Sequence, residues 1–271
     1  MVEISEEPND AGGSSSTSGA TEGPNSQHSS TDLPSTRIVS FLKQRPVDTL
    51  LWVLRLLTCV FAILYVIPIG VNRNNMYSKA LFAGAATNAL RLHQRVGRFR
   101  FSTEFLGTTF LEDSCHYLFY CLIFLTIYPV TMALFPVFLF AILHAASFTL
   151  QILNVGHMDS SRPGTLLTRF INEYHQSLLL LIASAEIFLM PMVVVMVFMG
   201  RTNIVMPFAY YRFLTLRYMS RRNPNSRIAF YQIRIALQQS VSSPSCPGFI
   251  RAVVYRAIDL VSRLAPTTPV A

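Results

Sequence analysis

Asp113, Ser114 and His116 stand almost side by side in this chain. An acid, a hydroxyl and an imidazole are the parts of an acyl-transfer triad. A triad needs those parts in a relay geometry that near-adjacent residues seldom supply. The same acid and serine suit the start of a helix, where a short polar side chain caps free amide groups. Four cysteines, Cys59, Cys115, Cys121 and Cys246, make no CxxC pair, and three lie in apolar runs, so neither a disulfide framework nor a zinc site is expected. His144 sits on an apolar face and reads as a satisfied core histidine. No glycine-rich phosphate loop, nucleophile elbow or HExxH string is present. Catalytic, cofactor-binding and metal-ligating residues are therefore assigned to none, and a non-enzymatic protein is expected.

Two ionisable residues remain, because they lie inside apolar runs. Arg55 is near one end of Leu50–Ile69, where its long stem can snorkel to the headgroups or join an internal ion pair. Glu186 lies inside Ser177–Gly200, and a carboxylate at that depth must be protonated, paired or in a polar cavity. With both at similar depth in a three-span arrangement, Arg55 and Glu186 are placed to pair. A small transporter or channel-like bundle would use the same two residues, although no inverted repeat is evident.

The elements that must carry these residues are membrane helices. The 271 residues are 51% hydrophobic and 13% charged, where a soluble domain averages about a quarter charged. Leu50–Ile69 matches the ~20 residues that span a bilayer as a helix. In Met76–Arg95, Ala80 and Gly84 have the small-xxx-small spacing of closely packed membrane helices. This segment either returns against the first helix or lies along the surface.

From Ser114 to Met158 there is no Asp, Glu, Lys or Arg. As one straight helix, the apolar part to Leu153 would run about 60 Å, twice the ~30 Å hydrocarbon layer. A helical hairpin with its turn near Pro129 and Pro136 resolves the excess. Asp113 or Ser114 would cap its first leg.

Charge is uneven along the chain. Residues 1–36 hold six acids and no Lys or Arg, in a Ser/Gly-rich stretch that reads as disordered. Residues 201–271 hold ten Arg and one acid, Asp259. The expected organisation is a disordered tail (1–36), a helical transmembrane domain (37–222) and a basic cytoplasmic tail with amphipathic helices (223–271).

Tyr210, Tyr211, Phe213 and Tyr218 interleave with Arg212, Arg217, Arg221 and Arg222, a pattern suited to a membrane interface; nucleic acid is not expected as a partner. Residues 226–240 read as a weaker amphipathic helix. In Phe249–Leu264 the wheel divides into an apolar half and a basic polar half. Arg251, Arg256 and Arg263 would meet lipid headgroups, while Phe249, Val253, Leu260 and Leu264 insert among acyl chains. Positive-inside counting favours a cytoplasmic tail; three spans would put the N-terminus in the lumen, four would put the Arg-rich loop there, and cytoplasmic termini are the preferred arrangement. An all-hairpin version keeps the termini and the Arg91–Arg100 loop on one side, and requires a turn around residues 190–215.

Seven strings, ALRLHQR (Ala89–Arg95), LEDSCHYL (Leu111–Leu118), YPVTMALFPV (Tyr128–Val137), LHAA (Leu143–Ala146), EIFLMP (Glu186–Pro191), YYRFLTLRYMSRRNP (Tyr210–Pro224) and RLAPT (Arg263–Thr267), together resemble the transmembrane protein 33 family, which includes Krüppel homolog 2 and the yeast pore-membrane nucleoporin. The resemblance runs from about residue 45 to about residue 268. Residues 154–176 match poorly. It implies a multi-pass protein of the endoplasmic reticulum membrane and nuclear envelope, with roles in tubular membrane shape, nuclear-pore organisation and stress signalling. The implied partners are reticulon-type and nuclear-pore membrane proteins; the amphipathic helix itself points to membrane lipids or, with the Arg-rich Tyr210–Arg222 segment, to an import receptor instead. It brings no catalytic residue and no cofactor. The expected fold is all-α: a polytopic helical membrane protein with hairpins and C-terminal amphipathic helices.

Overall fold

The computed structural model describes residues 34–97, 107, 109–158, 161–220, 224–243 and 246–265. The acidic segment before Pro34, and Arg98, Arg100, Arg221 and Arg222, lie outside the described residues. Every regular element among the described residues is helical. Among the described residues nine helices carry the fold: α1 (Pro34–Gln44), α2 (Pro46–Val66), α3 (Arg73–Val96), α4 (Asp113–Leu125), α5 (Thr131–Val155), α6 (Arg162–Phe198), α7 (Val205–Met219), α8 (Asn225–Ser242) and α9 (Gly248–Leu264). Of these, α2, α5 and α6 are long and apolar enough to cross a membrane, and α4 is a shorter apolar helix. The chain is a polytopic all-α membrane protein.

Its central unit is the antiparallel hairpin, used three times. In the first, α3 turns back along α2: the Tyr65 and Tyr77 rings lie 5.5 Å apart near the turn, and Arg73 and Lys79 sit over the Tyr65 and Phe61 rings. Asn72 caps α3 by accepting from the amides of Asn74 and Asn75, which satisfies two donors that a helix start leaves free.

The second hairpin is α4–α5. Its legs meet through the Tyr117 and Phe140 rings at 4.7 Å and through the Tyr120 hydroxyl, which donates to the Ala133 carbonyl at 2.8 Å. The third is α6–α7, reversed over residues 199–204 with Gly200 at φ 67°. That conformation is open to glycine and strained for other residues. The turn falls inside the 190–215 window that the all-hairpin arrangement requires.

The starts of α2, α4 and α6 and the ends of α3, α5 and α7 thus share one end of the bundle. There Trp52 donates to the Thr149 hydroxyl at 3.0 Å, and Arg95 pairs with Glu112 at 2.8 Å.

α3 has too many polar residues to look like a span, yet it is the central helix. Met76, Tyr77, Ala80, Leu81, Ala83, Gly84, Ala85 and Thr87 are all buried. The small residues let α4 and α5 come close. A Cβ built on Gly84 would stand 2.9 Å from Val137 Cγ1 and 3.3 Å from Cys121 Sγ. A valine methyl in a packed helix has little freedom to give way. We expect Gly84→Ala to cost about 1–3 kcal/mol through overpacking. Thermal unfolding of the purified chain in detergent checks this, and an unchanged midpoint would refute the close approach.

Several expectations need correction. Pro129 lies in the α4–α5 turn, but Pro136 does not: it is buried within α5. The five-residue link 126–130 already reverses the chain.

Asp113 and Ser114 do not cap α4. The N-cap position is Glu112, without a side-chain cap bond, and the Asp113 carboxylate is drawn to Arg217 instead. Residues 34–36 open α1 rather than close the acidic segment. The Tyr210–Tyr218 stretch is core rather than interface along one face. Tyr210, Phe213, Leu214 and Arg217 are buried against α4 and α6, while Arg212 remains exposed.

Candidate functional site

The anticipated Arg55–Glu186 pair does not form. Glu186, buried in α6, meets Arg217 of α7, whose Nε lies 3.2 Å from Glu186 Oε2. The Tyr117 hydroxyl of α4 donates to Glu186 Oε1, and the Tyr210 hydroxyl donates to the Glu186 backbone carbonyl at 2.8 Å. Arg217 also reaches Asp113 at the start of α4, Nη1 to Oδ1 at 3.3 Å, and its guanidinium sits 5.1 Å from the Tyr117 ring centre. Ser220 donates to the same Asp113 oxygen at 2.8 Å.

One arginine therefore joins three helices through two carboxylates and an aromatic face. Its planar fork, with five donors, makes that possible where a lysine could not. The triad-like neighbours also find ordinary places. Asp113 serves Arg217, Ser114 is buried, and His116 has Nε2 2.7 Å from the Phe110 carbonyl. None is arranged as a nucleophile with its base.

Sequence reasoning gave Glu186 but missed its partner, because Arg217 was read with the other arginines of its stretch. A helical count would have found it. Met206, Tyr210, Phe213, Leu214 and Arg217 recur at the spacing of one buried helix face.

Arg55 is buried on α2 without a carboxylate partner and lines a cavity of about 190 Å³ among α2, α3, α4, α5 and α7. His144 lines the same cavity, its ring stacked on Phe140 at 6.1 Å. Among the described residues no group of His, Cys, Asp and Glu is placed to hold a metal ion.

At the other candidate site, α9 buries none of its residues. Phe249, Val253, Leu260 and Leu264 are 71%, 61%, 58% and 49% exposed, and their 4-7-4 spacing places them in one stripe. On its other flank α9 is anchored. Arg251 donates to the Val241 and Ser243 carbonyls at the end of α8, at 3.0 and 3.3 Å. Tyr211 donates to the Leu264 carbonyl at 2.9 Å. Arg263 pairs with Asp259 at 2.8 Å, and Arg256 stays exposed. Of the three arginines expected on headgroups, Arg251 is thus engaged in closing α8, and Arg256 is the freest.

Comparison with known proteins finds relatives along most of the chain. The family model described as Transmembrane protein 33/Nucleoporin POM33 matches residues 30–267. Transmembrane protein 33 of Homo sapiens is 45% identical over 233 residues, covering 85% of this chain and 94% of the relative. The Transmembrane protein 33 homolog of Caenorhabditis elegans is 45% identical over 233 residues, covering 84% of this chain and 85% of the relative. Krueppel homolog 2 of Drosophila melanogaster is 39% identical over 230 residues, covering 85% and 83%. No solved structure matches.

Proposed function

The chain belongs to the Transmembrane protein 33/Nucleoporin POM33 family, and on that footing we propose that it is a non-enzymatic organiser of the endoplasmic reticulum membrane and nuclear envelope. It acts in tubular membrane shape, by modulating reticulon-type proteins, and in nuclear-pore organisation. Membrane lipids are its first partner. Nuclear-pore membrane proteins and an import receptor that reads the basic tail are the others.

The observation that carries this reading is the apolar stripe of α9, which no part of the bundle covers. A helix with one such stripe and arginines beside it lies in a bilayer interface, its apolar side chains among the upper acyl chains. The bundle adds to the same effect. The 13 residues of α4 and the 15 of α7 are about 20 Å long at 1.5 Å per residue, short of a ~30 Å hydrocarbon layer. Legs that fill one leaflet more than the other favour a curved surface. Transport is the less favoured reading, because Glu186 is committed to Arg217 and Tyr117.

The test replaces Leu260 and Leu264 together by Asp in the full chain and images it in cells lacking their own copy. We expect enrichment on tubules and at the nuclear rim to fall severalfold, while the purified protein keeps its unfolding midpoint. Unchanged distribution would remove α9 from the mechanism.

A further inference from the structure

The cavity beside Arg55 has the charge of a binding site. Its cationic lining is graded by depth. Arg95 at the rim is exposed, Arg91 is half-buried, and Arg55 and Arg217 at the floor are buried. Arg95 is held by Glu112, and Arg217 by Glu186 and Asp113. Arg55 and Arg91 make no ion pair among the described residues. Asp48 acts on both electrostatically from outside the lining. Arg217 also has one guanidinium nitrogen, Nη2, buried without a hydrogen-bond partner. An unpaired buried charge costs several kcal/mol as a rule, so two arginines and a free guanidinium edge around one void call for an anion.

The polar neighbours do not supply it: Asp113, the carboxylate in the lining, is already held by Arg217 and Ser220, and the His144 ring is stacked on Phe140. The hydroxyls of Thr58 and Thr87 donate to the Leu54 and Ala83 carbonyls, and the Asn88 amide donates to Gly84. The available donors are therefore guanidinium forks, which match the oxygens of a phosphate. At about 190 Å³ the void is roughly ten times the ~15 Å³ that one ordered water needs, large for a lone halide. Val137, Phe140 and Ala141 complete the wall, so a ligand with an apolar portion is tolerated.

We propose that this cavity binds a phosphate-bearing anion, held by Arg55 and Arg91 with Arg217 at its floor. Basic pockets between membrane helices recognise anionic lipid headgroups, and a free phosphate would satisfy the same forks. The site is separate from α9 and does not depend on that helix touching lipid.

The test uses the full chain purified in detergent, with thermal unfolding followed while inorganic phosphate or short-chain phosphatidic acid is added. Sodium chloride at equal ionic strength is the reference. A ligand that binds only the folded state raises the midpoint with concentration. Stabilisation by phosphatidic acid alone identifies a lipid headgroup site. Stabilisation by phosphate alone identifies a soluble anion, and by both a site open to either; all three support the proposal.

Arg55→Gln and Arg91→Gln should each weaken binding about tenfold, the worth of one charge-assisted hydrogen bond, and Arg256→Gln on α9 should not. Arg91, being half-buried, can change without threatening the fold. Its variant alone decides the matter if Arg55→Gln unfolds. No stabilisation beyond sodium chloride, or Arg91→Gln binding like the parent chain, would overturn the proposal.

Discussion

Arg217→Met should be the most damaging single substitution in the bundle, at about 3–5 kcal/mol, because it leaves the buried Glu186 carboxylate without its cation. Arg217 is 1% exposed and so is Glu186. The Tyr117 hydroxyl would remain as a donor to Glu186, but a neutral donor does not balance a charge in apolar surroundings. Asp113 would lose its partner at the same step, although Ser220 would stay on it. Glu186→Gln should be milder, since Arg217 keeps Asp113. The informative variant is the double change, Arg217→Met with Glu186→Leu. Removing both charges replaces a costly pair by packing, so the double variant should be more stable than Arg217→Met alone. Unfolding midpoints in detergent of the parent chain, Arg217→Met, Glu186→Leu and the double variant close the cycle. If the double variant equals the sum of the singles, the two residues are not coupled and the arrangement around Glu186 is wrong.

The second large effect is expected at Phe213. Its ring is fully buried, 5.0 Å from Tyr120, 5.5 Å from Tyr210 and 6.1 Å from Tyr117. Phe213→Ala removes the piece that fits α7 between α4 and α6. Phe→Ala in a packed core costs about 3–5 kcal/mol. In hydrocarbon the transfer part of that figure shrinks while the lost contacts remain, which puts the expectation near the lower bound. Arg212→Ala, one residue earlier on the exposed side of the same helix, should change stability by less than about 0.5 kcal/mol. Equal effects at the two positions would mean that α7 lies on the membrane surface rather than in the core.

That contrast also marks what the sequence made legible. The apolar runs around α2, the α4–α5 pair and the apolar half of α6 stood out by length, because a bilayer imposes one that no soluble element shares. The reversal between α4 and α5 followed from the same arithmetic. The amphipathic division of α9 was plain, because the helix stands apart from the bundle and its pattern is not mixed with core requirements. Arg217 was hidden for the opposite reason. It follows Arg212 and precedes Arg221 and Arg222 in a basic stretch, and composition alone does not pick out the one guanidinium that turns inward. Arg55 was found but mispaired. Depth along the chain fixes height in the membrane, while the choice of partner depends on which helices touch, and α7 had no apolar run to announce it. Pro136 was drawn into the turn because a proline signals a break, whereas α5 carries it inside the helix with the loss of one ladder bond.

The three hairpins reverse at residues 67–72, 126–130 and 199–204, all at the end away from the Arg95–Glu112 pair. The joins between hairpins and the tail with α8 and α9 leave from the opposite end. For the machinery that inserts a nascent chain, this division sets what must be pushed through the lipid. Each pair of helices enters as a unit, tip first, and only a short turn is carried to the far side. In an arrangement with cytoplasmic termini, the charged connections and the tail would stay where they were synthesised. Assembly can then proceed by adding one finished pair beside the last, with no large polar segment ever leaving water.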